Sequence, residues 1–476
     1  MFENGPLQKT ERSPRNSKFG LMALKAVVLA GGRGTRLRPL TYTRPKPLLP
    51  LIGEPAIVHL IRKLAHEGIR DIVMTTNFFA GWLRAALGDG SRYGARIEHV
   101  EEKAPLGTAG SVKNSESLID ETFLVVQGDN QFEFDPKDVI NIHRKVGASA
   151  TLALVEVENP SEYGIAELSD GRITRFLEKP KPEECFSNLV NSGFYVVEPE
   201  VLKLVPAGKP FDFSKNLFPL MLESKMTLGG FHAKGFWVDI GDPASYLKAN
   251  IWALNRLEPK GKIIHGSGCS ISEKATLKGP SYLGNNVKVH EGTRIGPHSC
   301  VYDGTQILTG TEVTSSIVYE NTQIGRNVIL DTCVVAENCQ IGDRVQIGRD
   351  AVVGGSSELG DDSHLIEESK VGPWAIVANS SVVSGTSSAF EIQADALSSI
   401  LERSSLYSGL SIEEAKVCSV LWNLREADTD AISRFARVPR PMVISITSDL
   451  HQRGLLMSFG DEPRMYALAV RQGKND

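Results

Sequence analysis

Between residues 25 and 255 the chain alternates short apolar runs with amphipathic segments. The apolar runs have the length of buried strands and include KAVVLA (25–30), DIVMTT (71–76) and FLVVQ (123–127). Between the first two runs, aliphatic residues recur at the spacing of one helix face: Ile57, Leu60, Ile61 and Leu64. Strands that alternate with helices predict an α/β domain over residues 23–258. We expect a mostly parallel, doubly wound sheet with a ligand site at the carboxyl ends of its strands.

A second pattern begins near residue 263, where aliphatic residues recur every six positions. One series is Ile271, Leu277, Leu283, Val289, Ile295, Val301, Ile307 and Val313. After slips, the second is Ile329, Val335, Ile341, Ile347, Val353, Leu359, Leu365, Val371, Val377 and Val383. This period fits neither a helix nor a hairpin. It predicts a left-handed parallel β-helix over residues 263–386, with three hexads per coil and the aliphatic side chains inside.

The pattern changes again over residues 404–472. Three amphipathic stretches predict helices, marked by Val417, Val420, Leu421 and Leu424, by TDAISRFARV (429–438), and by Val443, Ile446 and Leu450. The segment LLMSFGDEPRMYALAV (455–470) then alternates like a hairpin. Three helices followed by a hairpin resemble a small winged helix-turn-helix, so DNA is a candidate partner of this segment.

Length and charge exclude several classes of protein. The chain has 476 residues, enough for about three domains. Its 52 basic and 57 acidic residues give a net charge of −5, which argues against a protein that coats nucleic acid or anionic lipid. No window is apolar enough to span a membrane and the N-terminus lacks a secretion signal, so we expect a cytoplasmic protein. The polar residues 1–22 predict a flexible tail and raise the question whether Met22 is the true start.

The six cysteines are scattered, without CxxC pairs, so we expect neither a zinc site nor a disulfide framework. Candidate chemistry appears instead directly after the first strand, in a turn that contains Gly31, Gly32 and Gly34. Glycine there lets backbone N–H groups approach a phosphate closely. The turn lies beside three cations that suit a polyanionic ligand: Arg33, Arg36 and Lys46. It matches neither the dinucleotide fingerprint nor the P-loop.

The segment GGRGTRLRPLTYTRPKPLLP (31–50) resembles the signature of sugar-1-phosphate nucleotidyltransferases. Six further segments resemble the family's motifs in their order: PLGTAGSV (105–112), VVQGDN (125–130), YGIAEL (163–168), EKP (178–180), NSGFYVV (191–197) and FWVDIGDP (236–243). The resemblance implies a Rossmann-like nucleotidyltransferase domain. Such a domain uses Mg²⁺ to form a nucleoside diphosphate sugar and pyrophosphate from a nucleoside triphosphate and a sugar 1-phosphate.

Attack of a sugar phosphate on the α-phosphorus brings two anions together, so cations must converge. Asp129 and Asp239 each follow an apolar strand and suit a Mg²⁺ site. The resemblance implies that Arg36 binds the α-phosphate and the departing pyrophosphate, and that Lys46 and Lys179 bind the attacking phosphate from opposite walls. It implies nucleotide contacts by Gly31, Gly32, Arg33, Gly34, Thr35, Glu101, Gly107 and Thr108. It implies sugar-phosphate contacts by Gly164, Glu178, Lys179 and Asn191.

Two assignments of base and sugar stay open. Glu101 and Glu102 precede PLGTAG, and a carboxylate there would accept hydrogen bonds from guanine. This loop resembles that of mannose-1-phosphate guanylyltransferases, which implies GTP and mannose 1-phosphate. The Asp-Asn ending of QGDN (127–130) instead resembles the thymidylyltransferase and adenylyltransferase branches of the family. A glucose-1-phosphate thymidylyltransferase or uridylyltransferase is therefore the alternative.

Two further alternatives are weaker. A bifunctional nucleotidyltransferase-acyltransferase needs a general-base histidine on the β-helix, and the candidates are His265, His290, His298 and His364. A sugar-nucleotide-sensing DNA-binding regulator needs a basic surface, but residues 404–476 contain nine Lys plus Arg and nine Asp plus Glu. The flat faces and open end of a β-helix predict a homo-oligomer.

Overall fold

The computed structural model describes residues 24–77, 79–257, 260–373, 375–387 and parts of 413–468. The predicted tail 1–22, and with it Met22, lies outside the described residues. In the described part of the chain, no helix has the length and apolar character needed to cross a lipid bilayer. The six cysteines are free thiols.

A nine-stranded sheet forms the centre of the first domain. Its strands are β1 (Lys25–Leu29), β2 (Asp71–Thr76), β3 (Arg96–Glu101), β4 (Phe123–Gln127), β5 (Ala150–Glu156), β6 (Gly164–Ser169), β7 (Arg172–Glu178), β8 (Leu189–Val197) and β9 (Leu228–His232). They lie in the order β3-β2-β1-β4-β8-β5-β9-β7-β6. The first four are parallel, but β8 is antiparallel to both β4 and β5, and β6 and β7 form a hairpin.

The prediction of a mostly parallel sheet is therefore wrong for the second half of the domain. The hairpin turn between β6 and β7 contains Asp170 and Gly171, both with positive φ. Only antiparallel neighbours can be joined by so short a turn, and parallel strands need a longer crossover. The apolar runs predicted strands but carried no information about their direction.

Helices cover both faces of this sheet. They are α1 (Ala56–His66), α2 (Ala80–Leu87), α3 (Gly107–Asn114), α4 (Pro136–Val146), α5 (Phe218–Glu223) and α6 (Pro243–Asn255). The predicted stripe of α1 is buried, and Asp135 and Asp242 cap the first turns of α4 and α6. Short helical turns join the elements: Thr35–Leu37, Leu40–Tyr42, Lys46–Leu48, Ser91–Tyr93, Glu116–Leu118, Pro160–Glu162, Pro182–Glu184, Pro199–Leu204 and Phe213–Leu217.

Two small antiparallel pairs complete the domain: Pro50–Leu51 with Glu54–Pro55, and Asn130–Phe132 with Trp237–Asp239.

Residues 263–387 form three stacks of short parallel strands, an arrangement consistent with a β-helix. The first face contains Ile263–His265, Ser281–Leu283, Cys300–Val301, Ile317–Val318, Val334–Val335, Val352–Val353, Lys370–Val371 and Thr386–Ser387. The second contains Ser270–Ile271, Lys288–Val289, Gln306–Ile307, Gln323–Ile324, Gln340–Ile341, Glu358–Leu359 and Ile376–Val377. The third contains Thr276–Leu277, Arg294–Ile295, Glu312–Thr314, Ile329–Asp331, Gln346–Ile347, His364–Leu365 and Val382–Val383.

One residue of the predicted hexad series is wrong. Ile329 is 44% exposed, whereas its neighbour Leu330 is 1% exposed and belongs to the interior. The inward residue after Val313 is Val318, and the one after Leu330 is Val335, so each of these two hexads is one residue short. A shift of one residue moves a side chain to the other side of a strand, which is why Ile329 faces outward.

The first face of the stack packs against the α/β domain and shares a core with it. Apolar side chains from both domains meet there, including Leu37, Leu51, Val238, Ile240, Tyr246, Leu254, Cys300, Tyr302, Ile317, Tyr319, Val334 and Val352. Four outward residues of this face, Cys300, Ile317, Val334 and Val352, are apolar because another domain covers them. On the other two faces many outward residues are Lys, Arg, Gln, Glu or His.

Parts of the C-terminal segment are also described. They contain α7 (Thr429–Ala436), α8 (Arg440–Gln452) and an antiparallel sheet of Ala427–Asp428, Leu456–Phe459 and Met465–Leu468, with the last strand in the middle. The predicted hairpin is present, and the sheet adds a strand that the pattern did not predict. Val417, Cys418, Val420 and Leu421 are helical and buried, while Leu424 and Val470 lie outside the described residues.

Candidate active site

Two strand ends and one small strand pair bring the predicted residues together. The glycine turn follows β1, and Asp129 follows β4, which lies beside β1 in parallel. Asn130–Phe132 pairs with Trp237–Asp239, with Asp239 opposite Asn130. This pairing places Asp129 and Asp239 side by side at the carboxyl edge of the sheet, although they are far apart in the chain.

The ammonium group of Lys46 lies between these two carboxylates. Its Nζ forms an ion pair with Asp129 and lies 3.3 Å from Oδ1 of Asp239. The three side chains are only 14%, 17% and 18% exposed. Arg36 Nη2 lies 3.8 Å from Oδ2 of Asp239, and Arg36 Nη1 lies 3.8 Å from Glu162. Four of the predicted residues thus form one group, to which the structure adds Glu162.

The shared ammonium controls the charges of the pair. Burial raises the pKa of Asp239, and repulsion by Asp129 adds to this effect. Burial also opposes the ionisation of Asp129, but the ammonium of Lys46 outweighs burial and lowers its pKa. Burial opposes the charge of Lys46 as well, yet the two carboxylates raise its pKa. Two carboxylates held this close can both be ionised only if a cation lies between them, since otherwise one of them keeps its proton.

Two glycines provide the space that the cations need. Gly34 has φ +62, and a Cβ there would lie 2.9 Å from Thr41 Cγ2 and 3.1 Å from Lys46 Cβ. A Cβ on Gly241 would lie 2.7 Å from Arg36 Nη2. The turn itself is open, since Gly32, Arg33, Thr35 and Arg36 are exposed, and Gly31 packs against the backbone of residue 77. An exposed backbone turn beside the buried ammonium of Lys46 and the exposed guanidinium of Arg36 suits a polyphosphate.

The two glutamates before α3 have different surroundings. Glu102 is 6% exposed, accepts a hydrogen bond from the backbone N–H of Leu106 at 3.3 Å, and has a pKa raised by burial. The Glu101 side chain is 57% exposed and lies 3.6 Å from Arg84. Of the two carboxylates, Glu102 is therefore the one built into the loop that begins α3.

Gly107 and Thr108 fasten this loop to the segment at residues 211–213. A Cβ on Gly107, which has φ +70, would lie 2.9 Å from the Phe211 carbonyl oxygen. The Thr108 hydroxyl donates to Asp212 Oδ1 at 3.2 Å and accepts from the Phe213 N–H at 2.9 Å. These contacts give both residues a structural role, and the motif alone did not indicate the partner segment.

Glu178 and Asn191 meet through a serine that the sequence did not identify. Asn191 Nδ2 donates to Ser214 Oγ at 3.0 Å and to the Tyr195 hydroxyl at 2.9 Å. Burial raises the pKa of Glu178, and a hydrogen bond to Ser214 partly opposes this. A Cβ on Gly164 would lie 2.7 Å from Glu178 Oε2, so glycine is needed for this approach. Hydrogen bonds thus join Glu178, Asn191, Ser214 and Tyr195 in one polar cluster.

Lys179 lies apart from the group around Lys46. Its side chain is exposed, and among the described residues it forms no ion pair with Asp129 or Asp239, the two partners of Lys46. Its backbone has φ +47, uncommon for a residue with a side chain, and its N–H donates to Tyr163 at 2.9 Å. Tyr163 packs edge-on against Trp237 with ring centroids 5.6 Å apart. Sequence reasoning missed this aromatic pair, which lies next to Asp239.

Comparison with known proteins identifies the family. The family model described as Nucleotidyl transferase matches residues 25–255, and one described as GMPPB C-terminal domain matches residues 277–385. A UTP–glucose-1-phosphate uridylyltransferase of Synechocystis sp. is 32% identical over 329 residues, 63% of this chain and 84% of the relative. The chain belongs to the sugar-1-phosphate nucleotidyltransferase family.

Other relatives of this nucleotidyltransferase are named for a different activity. A mannose-1-phosphate guanylyltransferase of Mycobacterium tuberculosis is 32% identical over 305 residues, 62% of this chain and 82% of the relative. A mannose-1-phosphate guanyltransferase of Saccharomyces cerevisiae is 35% identical over 261 residues, 53% of this chain and 71% of the relative. Relatives of similar identity thus differ in base and sugar.

The carboxylates of the nucleotidyltransferase fit a Mg²⁺ ion. Oδ1 of Asp129 is buried and has no hydrogen-bond partner among the described residues. The same residues contain no cluster of three or more His, Cys, Asp or Glu side chains suited to a metal. Mg²⁺ is typically held by one or two carboxylates and completes its shell with water and substrate phosphates. Asp129 and Asp239 supply a donor set of this kind.

Proposed function

We propose that this nucleotidyltransferase joins GTP and mannose 1-phosphate into GDP-mannose and pyrophosphate. The observation that carries nucleotidyl transfer is the buried group of Lys46, Asp129 and Asp239 beside the open glycine turn. Lys46 and Arg36 place positive charge where two anionic phosphates have to approach each other. The yeast and mycobacterial relatives support the choice of base and sugar.

The proposed reaction follows from where these charges lie. A phosphate oxygen of the sugar 1-phosphate forms a bond to the α-phosphorus, and the bond from the α-phosphorus to the bridging oxygen of pyrophosphate breaks. Arg36 stabilises the departing pyrophosphate, and Lys46 holds the attacking phosphate. Mg²⁺ bound by Asp129 and Asp239 would neutralise charge on the transferring phosphate. Glu178 and Asn191 would bind sugar hydroxyls, and Lys179 would reach the sugar phosphate from the opposite wall.

The buried carboxylate of Glu102 supports guanine as the base. A carboxylate has about four acceptor positions, so its bonds to the Leu106 N–H and to Ser111 leave acceptor capacity for guanine N–H donors. The segment QGDN (127–130), which favours a thymidylyltransferase instead, has a structural explanation. Asn130 is 1% exposed and donates from Nδ2 to the carbonyl oxygen of Ser192, so its amide holds two strands rather than reading a base.

Competition between triphosphates tests this assignment. With GTP, dTTP, UTP and ATP at equal concentration and mannose 1-phosphate in excess, we expect GDP-mannose to be the main product, measured by separating the sugar nucleotides. The same mixture with glucose 1-phosphate tests the sugar. A preference for UTP with glucose 1-phosphate would select the activity for which the Synechocystis relative is named, and a preference for dTTP would select a thymidylyltransferase.

Replacement of Glu102 by glutamine tests the role of its carboxylate. Glutamine keeps the size but presents an N–H₂ group to guanine donors, so we expect kcat/KM for GTP to fall about 10- to 100-fold relative to that for UTP. The matched control is Glu101→Gln, because Glu101 is exposed and pairs with Arg84. Equal losses for all triphosphates in Glu102→Gln would show that the carboxylate only supports the loop.

Assembly through the β-helix, DNA binding and a winged helix stay predictions. Arg440 forms an ion pair with Asp430, and Arg453 pairs with Glu414 and Asp449, so acidic neighbours already offset two cations that DNA would need. We propose the winged-helix interpretation for this segment on the order of its helices and hairpin. Binding to duplex DNA at low salt would support the regulator alternative.

A further inference from the structure

The segment that carries Lys46 is also fastened to the β-helix. Arg44, two residues before Lys46, forms an ion pair with Glu320 and lies 3.9 Å from Oε2 of Glu337. Its guanidinium carbon lies 5.1 Å from the ring centroid of Tyr319. Glu320 and Glu337 follow consecutive strands of the first face, Ile317–Val318 and Val334–Val335. One arginine of the active-site segment is thus held by two successive coils.

The same segment has two more attachments after Lys46. The Tyr246 hydroxyl donates to the Pro50 carbonyl oxygen at 2.5 Å, and the Tyr319 hydroxyl donates to Tyr246 at 2.9 Å. Gly53, with φ +82, has no side chain, and a Cβ there would lie 2.4 Å from the Tyr282 hydroxyl. Tyrosines of the first face therefore contact the segment directly at residue 53 and through α6 at residue 50.

Lys46 reaches the opposite side of this segment. Its ammonium contacts Asp129 and Asp239, whereas Arg44 contacts the β-helix, and the intervening Pro45 restricts the backbone between them. Further along the segment, Leu49 and Leu51 are fully buried in the core shared by the two domains. With so short and constrained a connection, a displacement of Arg44 moves the backbone of Lys46.

The contacts of Arg44 contain more charged groups than are needed merely to hold the two domains together. Two carboxylates share one guanidinium, Glu337 is 13% exposed, and its Oε2 has no hydrogen-bond donor among the described residues. Gly355 leaves the room, since a Cβ there would lie 2.7 Å from Glu337 Oε1. Apolar residues bind two domains at lower cost than partly buried charges, whereas charge-assisted contacts are directional and hold their partners in one geometry.

We propose that Arg44, Glu320 and Glu337 are positioning residues, through which the β-helix holds Lys46 in its working position. The proposal rests on the proposed function of Lys46 in binding the attacking phosphate. Under this proposal the β-helix contributes to catalysis within a single chain, whether or not it also assembles subunits. A displacement of about 1 Å at a catalytic group is enough to cost about 100-fold in rate.

Full-length variants of the two ends of this contact test the proposal by turnover. We expect Arg44→Ala and Glu337→Gln to lower kcat at least tenfold, with KM for the triphosphate changed less than threefold. Arg44→Lys should retain more of kcat than Arg44→Ala because it keeps the charge. The matched control is Glu312→Gln, since Glu312 pairs with Arg294 on the third face. Its kcat should equal that of the wild type.

A second measurement, the rate of chemical labelling of Lys46, reports on the position of this side chain and does not require turnover. N-hydroxysuccinimide acetate acetylates accessible amines, and the rate at Lys46 is measured by peptide mass spectrometry well below the unfolding midpoint of each variant. Lys46 is 14% exposed and ion-paired, so its rate in the wild type should be low. We expect Arg44→Ala and Glu337→Gln to raise it several-fold and Glu312→Gln to leave it unchanged.

The possible outcomes distinguish failure of the positioning proposal from failure of the proposed function. Unchanged kcat and unchanged labelling of Lys46 in both variants, with a lower unfolding midpoint, would overturn the proposal and leave a contact that only joins the domains. Absence of turnover by the wild type with every substrate pair would contradict the proposed function. In that case faster labelling of Lys46 would still support the positioning contact, and unchanged labelling would overturn it.

Discussion

Asp129→Asn should lower turnover by about two to three orders of magnitude. The substitution removes an anionic oxygen from a buried site where Mg²⁺ would contribute several kcal/mol to stabilising the transferring phosphate, and each 1.4 kcal/mol is about tenfold in rate. Asparagine has the shape of aspartate, and Lys46 keeps Asp239 as a partner at 3.3 Å, so the fold should persist. Pyrophosphate release during a Mg²⁺ titration measures the effect, and higher Mg²⁺ should restore part of the rate.

The matched control for this variant is Asp120→Asn. Asp120 also forms an ion pair with a lysine, Lys25, at 3.1 Å, but its side chain is 79% exposed. Its replacement should leave both turnover and Mg²⁺ dependence unchanged, because an exposed pair contributes little. Normal turnover of Asp129→Asn at limiting Mg²⁺ would contradict the assignment of Asp129 as a metal ligand.

Lys46→Met should affect stability as well as activity. Without the ammonium, Asp129 and Asp239 face each other as buried carboxylates, and loss of one partner from a buried ion pair typically costs about 3–5 kcal/mol. Mg²⁺ should offset part of this loss by taking the place of the lost charge. We therefore expect millimolar Mg²⁺ to raise the unfolding midpoint of Lys46→Met more than that of the wild type, while turnover stays at least 100-fold low.

Thermal unfolding with and without Mg²⁺ measures this difference, and Lys137→Met is its control. Lys137 pairs with Glu67 at 2.8 Å, but its side chain is 44% exposed, so its replacement should leave the unfolding midpoint nearly unchanged. A Lys46→Met protein with wild-type stability in the absence of Mg²⁺ would show that the two carboxylates do not depend on the lysine.

The amino-acid sequence alone determined the order in which helical segments and stacked strands follow one another along the chain. Hydrophobic period is a local property, so a period near 3.6 identified α1, and a period of six identified the stacked strands of residues 263–387. The period of six also predicted which residues face inward, except where a hexad is one residue short. Ile329 was then assigned to the interior in place of Leu330 because one residue changes the side on which a strand places its side chain.

Motifs likewise located the candidate site, but only as separate segments. Arg36, Lys46, Asp129 and Asp239 each stand in a recognisable motif, and the structure joins them in one group. Residues without a motif were missed, among them Ser214 between Glu178 and Asn191. A serine between distant strands has no period or spacing that could reveal its partners.

Tertiary structure alone decided how these segments meet. The direction of β8 in the sheet, the choice of Glu102 over Glu101 as the buried carboxylate, and the contact of Arg44 with Glu320 and Glu337 all depend on residues far apart in the chain. Spacing along a chain carries information about neighbours within a few residues, because only those are held at fixed geometry by the backbone. Contacts across domains are set by the packing of whole surfaces, which exists only in the folded protein.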